Sequence, residues 1–295
     1  MKKSIEAYKF DSIPNSLKNE AENILNEYKI NYETIDFNNT NVSLIISFMA
    51  EKAIAVLCGE LVSEKLFQVS KAGFPGCNKN SIDSVFQKII SLMQNGDSIE
   101  FLTTSDDHHL DFNNAIESID YRIRAEKILI KKDLTNFLPV KFPAITSRSI
   151  KHFDRSVFLK QLGYAIESDP FEDSGTTDPE KEYEELKQNA GNQFKIDDWR
   201  LYLIENDIVG FSCPSCFPGQ IEEGTVLNIG VSPEFRGKGI GTIIHKLSLE
   251  RLFNLGVKIY YGSTDVRNNA MVEIFKQNEC PVLCHRYFYK KDCLL

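Results

Sequence analysis

The sequence lacks a long apolar run and an excess of positive charge. Its most apolar stretch, residues 42–59, is interrupted by Glu51 and Lys52, whereas a membrane-spanning helix needs about 20 mostly apolar residues. The first ten residues do not contain the apolar core of a signal peptide. There are 34 Lys and Arg against 42 Asp and Glu, and the net charge of −8 predicts no nucleic-acid or membrane partner.

Cysteine is too sparse and too irregular for a disulfide framework. The chain has 7 cysteines, and an odd number spread over a large chain predicts a reducing, cytoplasmic location. Cys213 and Cys216, together with Cys280 and Cys284, have the composition of a zinc site. The strands predicted for the two pairs are well separated in the sheet, so we expect core and turn thiols and no metal.

The length and composition indicate two globular domains. A chain of 295 residues with 42% hydrophobic and 26% charged residues is about twice the size of a typical domain. Pro139 and Pro143 interrupt the chain, because proline disfavours both helix interiors and central strands. We therefore predict domains at residues 1–138 and 139–295.

Hydrophobic periodicity predicts a mixed α/β fold in both halves. The second half alternates helices and strands, with a turn at residues 214–219, and Leu227, Ile229 and Val231 are predicted on one face of a strand. The first half repeats the order strand, loop, helix, strand, helix, strand. The predicted elements of the second half are helices 154–167, 179 onward, 240–255 and 268–278 and strands 199–204, 208–212, 225–231, 257–263 and 283–290.

The segment from Arg236 to Gly241 has the composition of a phosphate-binding loop. It joins a predicted strand to a predicted helix, whose first amides are unpaired and lie at the positive end of the helix dipole. Gly237, Gly239 and Gly241 remove side chains that would block a ligand. The spacing fits neither a Walker loop nor a dinucleotide fingerprint, and a glycine-rich turn without a ligand is the alternative.

This loop resembles the acetyl-CoA loop of the GNAT superfamily of N-acetyltransferases. The run Val-Ser-Pro-Glu-Phe-Arg-Gly-Lys-Gly-Ile-Gly at residues 231–241 matches a strand ending in Val-x-Pro followed by Arg-x-x-Gly-x-Gly. Residues 264–275, with Asn268 opening a helix, resemble the family's second signature. The resemblance is clear over residues 199–290, and the first half resembles a degenerate GNAT domain without the loop.

The resemblance implies direct transfer of an acetyl group from acetyl-CoA to a primary amine of a small molecule or peptide. The pantetheine arm would pair with residues 229–231, and the Val231 amide would stabilise the oxyanion. Phe275 stands where many members have a tyrosine acid. The residues implied in cofactor binding are Ile229, Gly230, Val231, Arg236, Gly237, Lys238, Gly239, Ile240, Gly241, Thr242, Asn268 and Phe275.

Three questions stay open at this level. Glu223 is the predicted general base, and a solvated carboxylate is the alternative. The acidic segment at residues 168–185 favours a cationic acceptor, unless it is only a solvated loop. His245 and His285 have no partner at catalytic spacing and are predicted surface or packing residues. A non-catalytic acetyl-CoA-binding or interaction protein is the alternative to an enzyme.

Overall fold

The computed structural model describes residues 4–36, 39, 41–62, 65–92, 99–105, 109–139, 141–168 and 178–291. The chain divides into two compact units, the first made of residues 1–126 and 285–295 and the second of residues 127–284. This division by contacts differs from the boundary between residues 138 and 139 that the sequence predicts. That boundary stays a prediction. No helix within the described ranges is long and apolar enough to cross a membrane.

The first unit contains a mixed sheet whose central strands are buried on both faces. Alternate residues of the second and third strands pack against the first helix on one side and against the second and third helices on the other, so these strands read as a continuous apolar run. Glu51 and Lys52 interrupt that run because they lie at the hairpin turn. The elements are β1 Ile5–Lys9, α1 Lys18–Glu27, β2 Val42–Met49, β3 Lys52–Leu61, β4 Leu66–Gly73, α2 Lys79–Leu92, β5 Glu100–Thr104 and α3 His109–Glu117.

The second unit repeats this order of elements around its own mixed sheet, with two α-helices instead of one between its first two strands. Four antiparallel strands are followed by a parallel pair, and helices cover the sheet. The predicted mixed α/β fold is confirmed, and the internal repeat is present in the element order. The elements are β7 Thr146–Ser149, α4 Arg155–Ser168, α5 Pro179–Ala190, β8 Arg200–Ile204, β9 Asp207–Phe217, β10 Gln220–Val231, α6 Ile240–Asn254, β11 Ile259–Asp265 and α7 Asn269–Gln277.

Each half of the chain contributes its last strand to the sheet of the other unit. The last strand of the first half is β6 Tyr121–Asp133, and its residues 127–133 pair antiparallel with β11. The last strand of the second half is β12 Val282–Lys291, and its residues 286–289 pair antiparallel with β5. The two compact units therefore cannot be separated by a single boundary in the sequence.

Two local predictions in the second unit are wrong. Residues 214–217 continue strand β9 instead of forming a turn, and the turn follows at Gly219, which has φ +78°. The register of β10 against β9 shifts between Val226 and Ile229, and such a bulge reverses the alternation of side chains. Leu227 therefore packs against α4 and α5, whereas Ile229 packs against α6.

The aromatic cluster beneath α4 and α5 generates a stability prediction. Phe158 is 2% exposed, and its ring centroid lies 5.9 Å from that of Trp199 and 5.3 Å from that of Phe211. We expect Phe158→Ala to lower the free energy of unfolding by about 3–5 kcal/mol, because the substitution leaves a cavity. Trp199 is the single tryptophan, so its fluorescence during denaturation reports on this unit.

Leu138→Ala is the control for the Phe158 variant. Leu138 is 79% exposed, and its removal should change the free energy of unfolding by less than about 0.5 kcal/mol. Equal effects of the two substitutions would contradict the cluster's role in stability.

Candidate functional site

The site is a gap between two parallel strands of the second unit. Within residues 178–291, which the structure describes throughout, β10 and β11 pair at Glu223 with Ile259 and at Gly224 with Tyr260, although both strands continue. Residues 225–231 are all partly exposed. We call the space between residues 225–231 and 261–265 the β10–β11 gap. Diverging strands leave backbone groups available to an extended ligand.

The backbone of Ile229 and Val231 faces this gap. Ser232 N–H donates to Val209 O on β9 at 2.9 Å, and Gly230 is in the same phase of the β9–β10 ladder. In an antiparallel ladder, alternate residues point their N–H and C=O groups toward the partner strand and the others point them away. Ile229 and Val231 therefore direct their backbone groups to the side that β11 leaves open.

Glycine is required in the loop before α6 for two different reasons. Gly237 and Gly239 have φ of +71° and +75°, a left-handed conformation that is strained for other residues. A Cβ at either position would meet no atom within 4 Å, so space is open there. At Gly241, in the first turn of α6, a Cβ would lie 2.9 Å from Ile274 Cδ1, so a side chain there would have to displace the end of Ile274 on α7.

Helix α6 begins without a side-chain cap from any described residue. Its N-cap is Gly239, which has no side chain to accept a hydrogen bond. The N–H groups of the first turn, which include those of Ile240, Gly241 and Thr242, have no acceptor within the helix. These amides lie at the positive end of the helix dipole, so an anion is the chemical partner that fits them.

The matching helix of the first unit is closed by its own side chains. Ser81 N–H donates to Asn78 Oδ1 at 3.0 Å, and Asn78 N–H donates to Ser81 Oγ at 2.8 Å, which is a reciprocal cap. Phe74, in the preceding loop, stacks on Phe86 with ring centroids 5.5 Å apart. This closed helix start supports the expectation that the first half lacks a phosphate loop, which stays a prediction.

Arg236 ties the loop to the protein backbone. Its Nε donates to Val231 O at 3.1 Å, and its Nη2 donates to Tyr164 O on α4 at 2.9 Å. Arg236 N–H also donates to Pro233 O at 3.3 Å. The side chain therefore fixes the end of β10 against α4, and its predicted contact with a cofactor would compete with these bonds.

The remaining predicted residues have varied surroundings. Lys238 Nζ lies 5.4 Å from the Phe235 ring centroid, and Thr242 Oγ1 donates to Gln277 Oε1 at 2.7 Å. Asn268 caps α7, because its Oδ1 accepts from Met271 N–H at 3.1 Å.

Phe275 is placed in the core rather than on the surface of the gap. It is 2% exposed, and its ring centroid lies 5.5 Å from that of His245. Tyr260 on β11 is equally buried at 1%, and burial raises its pKa well above the ordinary value. Cofactor contact by Phe275 stays a prediction.

A buried polar network behind the loop joins α6, α7 and β11. Asn278 Nδ2 lies 3.0 Å from His245 Nδ1 and donates to Thr242 O at 3.0 Å, while His245 Nε2 lies 3.0 Å from Tyr260 Oη. An amide nitrogen only donates, so Nδ1 accepts and Nε2 carries the proton. Burial, with a smaller effect of Lys132, lowers the pKa of His245 to about 3. His245 is thus a core residue, and its partners are too distant in sequence to be recognised there.

Two carboxylates are candidates for proton transfer. Glu223 lies at the closed end of the gap, and at about 3.3 Å per residue strand β10 carries it roughly 25 Å from Val231. Glu182 on α5 was not singled out as a base from the sequence, yet its Oε1 accepts from Asn228 Nδ2 at 3.1 Å. It is 8% exposed. The bulge in β10 places Asn228, like Leu227, on the side of the strand that faces α5. Asn228 can therefore reach Glu182.

Cys213 and Cys280 are protonated thiols at neutral pH. Burial raises the pKa of Cys213 well above its ordinary value and that of Cys280 to about 11. Cys213 and Cys216 lie on β9, whereas Cys280 follows α7. Among the described residues, no group of three or more His, Cys, Asp or Glu side chains is placed to hold a metal ion.

Comparisons with known proteins agree with this geometry. Residues 163–278 match the family model for the acetyltransferase (GNAT) family, so this segment is a GNAT domain. A comparison with curated proteins gives no match.

Solved structures resemble the fold over the whole chain. A GCN5-related N-acetyltransferase from Sphaerobacter thermophilus has a TM-score of 0.56 at 14% identity, covering 97% of this chain and 95% of that one. A glucosamine N-acetyltransferase region of a fungal multi-domain GH3 β-N-acetylglucosaminidase has a TM-score of 0.52 at 12% identity, covering 98% of this chain and 38% of that one. Both likenesses concern the fold.

The glycine loop generates a binding prediction. Gly239→Val strains the left-handed backbone by about 1–2 kcal/mol and fills the open space before α6. We expect it to weaken the affinity for CoA on the order of tenfold to a hundredfold, measured by calorimetry.

Gly256→Val is a matched control for the Gly239 variant. Gly256 has φ +92° and also has no atom within 4 Å of a built Cβ, but it follows the other end of α6. It should show similar strain with unchanged CoA affinity. Equal loss in both variants would mean that strain, and not the loop, controls binding.

His245 generates a prediction about pH. The unfolded chain protonates His245 below its ordinary pKa of 6.5, whereas the folded protein does so only near its pKa of about 3. The unfolded state therefore binds more protons in this window, and stability falls with decreasing pH by up to about 1.4 kcal/mol per pH unit. We expect His245→Gln to flatten this dependence, measured by denaturation followed through Trp199 fluorescence. An unchanged slope would contradict it.

Proposed function

We propose that the chain is an acetyl-CoA-dependent N-acetyltransferase that acts on a primary amine of a small molecule or peptide. The observation that carries the proposal is the uncapped start of α6 beside the open edge of β10. The GNAT domain at residues 163–278 contains both elements. Fold alone does not fix a reaction, so the proposal depends on these backbone groups.

The residues of the loop would hold the diphosphate of CoA. No side chain of a described residue caps the backbone N–H groups of residues 237–242. They lie at the positive end of the helix dipole, which suits a diphosphate. Ile229 and Val231 direct backbone groups into the gap, where an extended pantetheine arm can pair as an added strand. Acetyl-CoA would supply an acetyl group activated as a thioester.

Val231 N–H would act on the reacting carbonyl. A donor fixed in place before reaction stabilises the negative charge that develops on the carbonyl oxygen. A thiolate is a better leaving group than an alkoxide, because thiols are far more acidic than alcohols (the pKa of a cysteine thiol is about 8.5), so water can protonate the leaving CoA. Phe275 and the buried Tyr260 need not supply a proton.

Glu182 is our candidate for the general base, in place of Glu223. An ammonium has no lone pair, so a base must remove its proton before attack. Glu182 is held beside Asn228, about 10 Å along β10 from Val231 at 3.3 Å per residue. A chain of about three waters, at roughly 2.8 Å per hydrogen bond, can bridge such a span.

The test of the proposed function is uptake of acetyl-CoA and release of CoA with amine acceptors. Calorimetry measures uptake, and a thiol reagent measures release with polyamines, aminoglycosides and peptide amines at low and high salt. A salt-sensitive rate with cationic acceptors would support the role of the acidic segment, whose residues 169–177 lie outside the described residues. Absence of acetyl-CoA uptake would refute the proposal, and uptake without release would favour a non-catalytic role.

The two carboxylates generate a kinetic prediction. With an acceptor found above, Glu182→Gln should lower kcat/KM about a hundredfold or more and remove the acidic limb of its pH profile. Glu223→Gln should change kcat/KM by less than about twofold, because roughly 25 Å along β10 is too far for a relay of a few waters. The reverse order of effects would restore Glu223 as the base.

A further inference from the structure

A buried amide on α4 lies behind the end of strand β10. Gln161 is 6% exposed and Ser232 is 2% exposed. Ser232 Oγ lies 2.8 Å from Gln161 Oε1 and 2.7 Å from Ile208 O. Ser232 directly follows Val231, so this contact fixes the chain next to the candidate oxyanion donor.

Counting protons defines the direction of these hydrogen bonds. A serine hydroxyl has one proton and two acceptor sites, so it cannot donate to both neighbours. Ile208 O only accepts, and the hydroxyl therefore donates to it. Two acceptors, Gln161 Oε1 and Ile208 O, therefore face one hydroxyl proton. Turning the Gln161 amide by 180° exchanges Oε1 with Nε2 and satisfies both contacts, which gives the order Gln161 to Ser232 to Ile208.

Contacts from three sides hold the peptide between Val231 and Ser232. Ser232 N–H donates to Val209 O at 2.9 Å, and Arg236 Nε donates to Val231 O at 3.1 Å. Gln161 adds the third contact, through the Ser232 hydroxyl. The direction of Val231 N–H follows from the backbone on either side of it, and oxyanion stabilisation depends strongly on that direction.

We propose that Gln161 is a positioning residue for the transfer reaction, acting through Ser232 to aim the Val231 N–H into the β10–β11 gap. This inference rests on the proposed function. An apolar side chain would fill the same place without needing a partner. The amide instead links α4 to the strand that carries the donor, so its loss should affect the reacting carbonyl more than the binding of CoA.

The test compares Gln161→Met, Ser232→Ala and the double variant with the unchanged protein. The first readout is kcat together with calorimetric Kd for CoA. The second is the infrared carbonyl stretch of bound, ¹³C-labelled acetyl-dethia-CoA, in which CH₂ replaces the thioester sulfur and no transfer occurs. Gln188→Met, at an exposed position on α5, is the matched control and should match the unchanged protein in every readout.

We expect each single variant to lower kcat about tenfold, the order expected for one buried hydrogen bond. The carbonyl stretch should move toward its value in solution, while Kd for CoA stays within about twofold. The double variant should be no worse than the singles, because both remove the same link. If Gln161→Met does not fold, Gln161→Glu removes the donor with little change of shape.

Two results would overturn the inference while leaving the proposed function intact. One is an unchanged kcat and carbonyl stretch in both single variants that still bind CoA. The other is a rise in Kd for CoA as large as the fall in kcat, which indicates general loosening. If the unchanged protein takes up no CoA, the proposed function fails and the inference fails with it.

Discussion

The constraint on which the candidate site depends is an open helix start. Among the described residues, no side chain caps α6, a helix of 15 residues, whereas Asp178 caps α5 by accepting from Glu180 N–H at 3.0 Å. Glycine at the N-cap in place of a capping side chain costs about a few tenths of a kcal/mol of helix stability. The same absence is what makes the amides available to an anion, and the positive-φ glycines keep the approach free of side chains.

Much of this arrangement could be predicted from local sequence. The loop was identifiable because the glycines at residues 237 and 239 have a local cause, a positive φ. The helices and strands of the second half follow from hydrophobic period and from local caps such as Asp178 and Asn268. These features depend on neighbours a few residues away, which a sequence displays directly.

Other features depend on contacts that a sequence does not display. The bulge in β10 reverses which face Leu227 occupies, and nothing in the alternation of residues 225–231 marks it. Glu182 meets Asn228, and Gln161 meets Ser232, across separations of 46 and 71 residues. The exchange of β6 and β12 between the sheets has the same character, because strand pairing is decided by the fold and not by the strand's own composition. The position of Glu223 depends on the same kind of contact, because the sequence does not display where β10 and β11 stop pairing.

The two units have a related topology but differ at the start of the helix that follows the parallel-paired strand. Both have a parallel strand pair that is joined over a short stretch, at residues 66–68 with 100–102 in the first unit and at 223–224 with 259–260 in the second. In each unit the first strand of this pair is followed by a helix, α2 or α6. In the first unit, Asn78 and Ser81 accept hydrogen bonds from each other's backbone N–H groups at the helix start. A phosphate would have to displace these bonds. In the second, glycine makes no such bond, and a ligand gains the full interaction with the helix end. A side chain and an anion compete for the same amides, so the residue at the helix start decides between a structural helix and a binding helix.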